Sequence, residues 1–238
     1  MKTFLAKTRS AVQKYNMIKE NDRIAVGVSG GKDSVALLAA LNALQKFYPV
    51  NFDIVAVTLD PMFSEKKTDY TKISELCDNL KVPYIVKQTD IFEVASKGDL
   101  AKNPCSLCAK LRRGILHNTA IEQGCNSVAL GHHMDDAVET FFMNLFDGGR
   151  ISCFSPVSYL SEKKLTLIRP MIFLYENEIS RFIKKYDYPT VKSICPVDGH
   201  TERARIKALV KELEKKYPAL RKKITGALQK DAISNWDF

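Results

Sequence analysis

The sequence predicts an α/β protein built on a doubly wound, mainly parallel five-stranded sheet with helical additions at both ends. Three observations carry that expectation. Short β-branched apolar runs alternate with segments whose apolar residues recur every three to four positions, which is the pattern of βαβ units. A glycine-rich turn at residues 29–34 (SGGKDS) joins the first run to the first helical segment. Outside residues 23–170 the strand signal disappears and helical, basic sequence takes over. The expected organisation is therefore a basic helix over 1–22, an α/β domain over 23–170 and a basic helical appendage over 171–238.

In order, residues 23–28 (RIAVGV) read as the first strand and 35–47 as the helix after it. Residues 52–59 (FDIVAVTL) form the second strand, closed by Asp60-Pro61. A helix over 69–80 with Ile73, Leu76 and Leu80 on one face leads to a third strand at 82–87. Residues 91–104 lack clear periodicity, with Gly98 and Pro104 as punctuation, and read as loop or short helix. A helix over 107–122 precedes the fourth strand, 127–130 (SVAL), which opens onto GHHMDD at 131–136. The next helix places Val138, Phe141, Phe142, Leu145 and Phe146 on a buried stripe, and Gly148-Gly149 stops it. A loop of about fifteen residues leads to the fifth strand at 165–168. Helices over 175–186, around Ile206, Leu209, Val210 and Leu213, and after Pro218 complete the chain.

The net charge is +9, and residues 200–230 alone hold ten Lys/Arg against three acids. Such clustering is the electrostatic footprint expected for a polyanion such as RNA, with a solvated helix face as the plain alternative. No run of 18 apolar residues exists, so no membrane span is expected. The acid-free first nineteen residues read as a basic surface helix in preference to a transit peptide. Six cysteines without a secretory signal point to a reducing, cytoplasmic setting. Cys77 and Cys125 read as small buried apolar residues, while Cys153 falls in a loop and is assigned neither way.

At SGGKDS, a helix N-terminus presents unpaired backbone N–H groups, and glycines let a phosphate approach the backbone closely. The run departs from both the Walker A spacing and the G-x-G-x-x-G fingerprint. It resembles the PP-loop of the ATP pyrophosphatase superfamily, whose members split ATP between its α and β phosphates. Asp60, Gly131, His132, Asp135 and Asp136 follow strands, so a parallel sheet puts them on the same carboxyl edge as the loop. The two carboxylates of 135–136 are candidates for holding Mg²⁺ or taking a proton, or for supplying charge to the first turn of a helix.

Cys105-Ser106-Leu107-Cys108 has three readings: redox dithiol, half of a zinc site, or part of an iron–sulfur cluster. A redox pair normally belongs to the first βα unit of its chain, and a four-cysteine zinc site needs a second C-x-x-C. Cys195, followed by Pro196, is the evident third thiolate. Three thiolates leave one cluster iron open, which suits sulfur chemistry.

SGGKDS, PCSLC with LRRGIL, LGHHMDD, FDGGR, IRP with YENEI, and the Cys195-Pro196 segment together resemble the tRNA 2-thiocytidine synthetase (TtcA) family of PP-loop enzymes. The resemblance implies an adenine nucleotide alpha hydrolase-like fold and an ATP-dependent tRNA sulfurtransferase. On that resemblance, ATP would adenylate the C2 oxygen of a tRNA cytidine at position 32, and sulfur carried by a 4Fe-4S cluster would replace that oxygen. It further implies that Ser29, Gly30, Gly31, Lys32, Asp33 and Ser34 hold the pyrophosphate, with Asp60, Gly131 and His132 near the nucleotide. On the same resemblance, Cys105, Cys108 and Cys195 would hold the cluster, Arg112 would stabilise the adenylated intermediate, and Asp135 or Asp136 would be base or magnesium ligand. Its implied partners are tRNA, a cysteine desulfurase as sulfur donor and a second copy in a homodimer. Around Cys195 the chain reads ICPVDGHTERAR, where many relatives carry a second cysteine pair; the chain is also short for the family. Two alternatives use the same loop: modification of another base, of the 2-thiouridine or lysidine type, and a non-catalytic nucleotide- or RNA-binding module. Lysidine chemistry leaves the three cysteines unused.

Overall fold

A computed structural model describes residues 1–63, 68–96, 104–192, 194–196, 199 and 201–230. Six strands form one sheet in the order β3-β2-β1-β4-β6-β5. The first four are β1 (Asp22–Gly27), β2 (Phe52–Asp60), β3 (Tyr84–Gln88) and β4 (Ser127–Ala129); β5 (Val157–Leu160) and β6 (Leu165–Ile168) complete it. β3, β2, β1, β4 and β6 run parallel, as the alternation predicts. β5 is an addition to the expected five: it lies in the stretch expected as loop and pairs antiparallel with β6, Val157 opposite Ile168. An edge strand of four residues with one neighbour is only partly buried along its length, so it carries neither alternation nor a long apolar run.

Period-two alternation along β1 sends side chains to two cores. Ile24 and Val26 point into the larger one, with Leu37, Leu38, Leu41 and Leu44 of α2 (Lys32–Gln45). α1 (Lys2–Lys14) and α7 (Glu176–Lys185) close this face, Phe4 stacking on Phe182 at 4.0 Å. α3 (Thr71–Leu80) adds Ile73, Leu76 and Cys77. Ala25 faces the opposite core with Val55, Val57 and Val128, covered by Leu116 and Ala120 of α5 (Pro104–Glu122). α2 is apolar nearly all round because it is buried nearly all round. Each of its four inward leucines contributes about 1.5–3 kcal/mol by leaving water.

α4 (Ile91–Ser96) forms the short helix allowed for in that irregular stretch; Gly98 lies outside the described residues. A third, smaller cluster joins α6 (Met134–Phe146) to α8 (Glu202–Lys216) through Val138, Phe142, Ile206 and Val210, with Leu220 and Ile224 of α9 (Leu220–Gln229) packed against it. Phe146, expected in the buried stripe, is instead 52% exposed. It is the last residue of α6 and stacks on Phe142 at 5.5 Å, beyond the core of that cluster. Among the described residues no helix is long and apolar enough to cross a membrane.

Candidate active site

The strand order reverses between β1 and β4, so the loops leaving these neighbours flank one crevice at the carboxyl edge. The loop after β1 is residues 29–34. Its two serines brace it: the Ser29 N–H donates to Ser34 Oγ at 3.1 Å, and Ser34 Oγ donates to the Gly31 carbonyl at 2.8 Å. Gly31 is the N-cap of α2 and has no side chain to occupy the first N–H groups, which leaves them to an anion. Gly30 has φ +84°, and a Cβ there would stand 2.8 Å from Val191 Cβ. That close approach lets the Val191 N–H donate to the Gly30 carbonyl at 2.9 Å, laying the segment before Cys195 across the loop.

Gly131, after β4, permits a second close approach, because a Cβ there would meet the Asp33 carbonyl oxygen at 3.2 Å. The two sequence motifs therefore touch backbone to backbone. Beside the loop lies a cavity of about 220 Å³, lined by Ser29, Gly31, Tyr70, Arg112, Val191 and Cys195 among others. Phosphate loop, arginine and third cysteine thus share one space. Burial pushes the Cys108 thiol up, Arg112 pulls it down, and Cys195 and Cys105 push it up, so all three neighbours act on this thiol. Cys105 is exposed, and Cys108 and Cys195 are half-buried.

Asp60 is 2% exposed, and its Oδ1 accepts from the Met62 N–H at 3.1 Å. It shapes the turn after β2 whose Pro61 and Phe63 line the cavity. Lys32 Nζ bonds Asp33 at 3.0 Å and Glu176 at 3.1 Å. Burial works against its charge, but Asp33 and Glu176 outweigh that and hold its pKa above the ordinary value. Glu176 also binds Lys207 of α8 at 2.7 Å; burial opposes its ionisation, yet the two lysines bring its carboxyl down to about 2.

Asp135 and Asp136 turn toward the C-terminal helices. Asp135 accepts from the Glu176 N–H at 2.7 Å and makes an ion-pair contact with Arg221 Nε at 2.8 Å. Asp136 accepts from the His133 N–H at 2.9 Å and meets Arg203 at 3.3 Å. Arg203 meets the buried Glu139 as well. His133, 4% exposed, sits among Asp33, Asp135 and Asp136 at 3.4 to 3.7 Å. Sequence analysis missed Glu176, Arg203, Lys207 and Arg221; YENEI contained the first, but nothing local names its partners.

His132 stacks on Phe154 at 4.9 Å and accepts a hydrogen bond at Nδ1 from Arg169 Nε at 3.2 Å. A guanidinium only donates, so Nδ1 is bare and the neutral ring carries its proton on Nε2. Burial lowers its pKa to about 4, Arg169 and Arg203 adding to the effect against Asp136. Cys153 keeps its proton: burial pushes the thiol up to about 11, and it donates to the Ala137 carbonyl at 3.3 Å.

Comparisons with known proteins give the chain's family and its fold. The PP-loop domain family matches residues 2–213. The tRNA-cytidine(32) 2-sulfurtransferase of Geobacter metallireducens is 39% identical over 220 residues, spanning 92% of this chain and 85% of that protein. Its namesake from Alkalilimnicola ehrlichii is 39% identical over 227 residues, spanning 93% and 71%. Among solved structures, the U34-tRNA thiolase NcsA from Methanococcus maripaludis, determined with its 4Fe-4S cluster, superposes with a TM-score of 0.78 at 24% identity, covering 96% of this chain and 79% of that one. At that identity the likeness speaks for the fold. The crevice at the strand-order reversal and the identity to these relatives converge: the chain belongs to the tRNA-cytidine(32) 2-sulfurtransferase family of PP-loop proteins.

Proposed function

We propose that this chain is an ATP-dependent tRNA sulfurtransferase that converts a cytidine at position 32 to 2-thiocytidine. The observation that carries the proposal is the cavity shared by Ser29 and Gly31, Arg112 and Cys195. A nucleotide phosphate held at the start of α2 would there face both a guanidinium and a thiolate-bearing segment.

In the first step the cytidine C2 oxygen attacks the α phosphorus of ATP and pyrophosphate leaves. The loop's N–H groups, the serine hydroxyls and Lys32 bind the departing phosphates. Arg112 donates to the α phosphate, whose non-bridging oxygens carry the negative charge of the adenylated intermediate, the kind of preorganised donor that stabilises such intermediates. In the second step a sulfur nucleophile attacks C2 and AMP departs with the oxygen.

Cys105, Cys108 and Cys195 fit a cluster by donor chemistry, since thiolates are the usual ligands and Cys108 feels both of the others. A 4Fe-4S cluster held by these three thiolates would supply that sulfur. Among the described residues no His/Cys/Asp/Glu group of three or more fits a single metal ion, and an iron–sulfur cluster spaces its cysteines more widely than a single ion does. Asp135 and Asp136 do not fit the magnesium role in this arrangement, because all four of their oxygens already have protein partners. We assign them the anchoring of α7, α8 and α9. The basic faces of α8 and α9 are the surface for the tRNA backbone. A cysteine desulfurase as sulfur source and a homodimer as assembly complete the proposal.

The test is anaerobic reconstitution followed by mass spectrometry of tRNA nucleosides. Wild type binds iron and sulfide and forms 2-thiocytidine with AMP release; Cys195→Ala loses the cluster and the thiolated product. A Cys195→Ala variant with unchanged iron content and thiolation would sink the proposed mechanism.

A further inference from the structure

Beside the phosphate loop, Lys32 Nζ and Lys207 Nζ both bond the same oxygen, Glu176 Oε1, at 3.1 Å and 2.8 Å. Lys207 also reaches Oε2 at 2.7 Å. One anionic oxygen between two ammonium groups is the arrangement a non-bridging phosphate oxygen takes between two lysines. The carboxylate stays ionised at any working pH, its pKa being brought to about 2 by the two lysines against the opposing effect of burial.

Charge balance makes the cluster convertible. With Asp33 on the other side of Lys32, two ammonium groups face two carboxylates. An incoming pyrophosphate group carries enough charge to take both lysines from Glu176, whose carboxylate is 28% exposed and is then left to water. The lysines come from different elements, Lys32 from the first turn of α2 and Lys207 from the second turn of α8. Glu176, the first residue of α7, is what joins them. Its backbone N–H is itself fixed by Asp135 at 2.7 Å, which sets the height at which the carboxylate enters the crevice.

We infer that Glu176 is a resident stand-in for a phosphate oxygen and that Lys207 is a second phosphate-binding lysine for the β and γ phosphates of ATP, released from Glu176 when the nucleotide arrives. This rests on the assignment of residues 29–34 as the ATP phosphate loop. It puts a nucleotide contact on α8, the helix whose outer face carries Lys211, Lys215 and Lys216.

The experiment measures calorimetric binding of ATP, inorganic pyrophosphate and AMP to the full chain without tRNA. Lys207→Met is expected to weaken ATP and pyrophosphate by about tenfold, the size of one charge-assisted contact, and to leave AMP unchanged. Lys207→Arg keeps ATP within about threefold of wild type because the charge survives. Glu176→Gln removes the competing anion and tightens pyrophosphate. Wild-type ATP binding by Lys207→Met, an equal loss of AMP binding, or weaker pyrophosphate binding by Glu176→Gln would each overturn the inference. Lys32→Met separates the two levels of the claim. If it leaves ATP binding unchanged, the phosphate-loop assignment itself fails; if it weakens ATP while Lys207→Met does not, only the role of Lys207 falls.

Discussion

Helix α2 begins in the phosphate loop and α8 is linked to it through Lys207 and Glu176, yet different forces hold them. α2 is buried in the larger core by Leu37, Leu38, Leu41 and Leu44 and its flanks are covered by α1 and α7. α8 rests on a small cluster around Ile206 and Val210 and is otherwise tied by ions: Arg203 to Asp136 and Glu139, Lys207 to Glu176. Apolar burial is nearly indifferent to salt and pH, whereas partly exposed ion pairs are screened and titrate. The difference separates a rigid nucleotide platform from a helix that can be re-partnered by phosphate.

The largest effect tests the platform. Leu41→Ala should cost about 2–5 kcal/mol of global stability, because the side chain is fully buried and its neighbours cannot close the cavity. Urea unfolding reads this as a lower midpoint with an unchanged slope. A cost below about 1 kcal/mol would mean α2 is not the central support that its burial implies.

A smaller, local effect tests the tie. Glu176 has a folded-state pKa of about 2 against an ordinary 4.5, so its contribution is fully present above 4.5 and is lost as pH falls through the folded value. Hydrogen-exchange protection in α8, corrected for the intrinsic exchange rate, should therefore fall as pH drops from 4.5 to 2, ahead of protection in α2. Glu176→Gln should remove that lead. If both helices open together across this window, α8 is held by its apolar contacts and not by its charges. His132 acts in a different window: its pKa of about 4 lies below the ordinary 6.5, so its neutral form favours folding above 6.5 and that contribution falls away between 6.5 and 4.

The platform was largely legible in the sequence and the tie was not. Strands β1, β2 and β4 are β-branched or apolar runs, and SGGKDS and GHHMDD are short motifs at their ends, so periodicity and spacing locate them. The same is true of Cys105, Cys108 and Arg112, which one helix holds together. Lys207 and Glu176 stand 31 residues apart, and Arg203 and Asp136 stand 67 apart. No local pattern encodes such pairs; they exist because α7 and α8 are delivered to the carboxyl edge by the fold. Asp135 and Asp136 show the same limit from the other side. Their position at the edge follows from β4, but their partners are chosen by helices that arrive later in the chain.

The smallest expected effect draws the boundary between the cysteines proposed to hold the cluster and one that packs. Cys153 lies in the loop before β5, with its thiol pushed up to about 11 by burial and donating to the Ala137 carbonyl at 3.3 Å. A protonated thiol is neither a good nucleophile nor a ready cluster ligand. Cys153→Ala should therefore change stability by no more than about 1 kcal/mol, the value of one weak hydrogen bond and a small side chain. Iron content and 2-thiocytidine formation should stay at wild-type levels, in contrast to Cys195→Ala. Loss of thiolation with the cluster intact would make Cys153 a sulfur-relay residue on the β4–β6 side of the crevice, and sulfur would then have to reach the base from both sides of the phosphate loop.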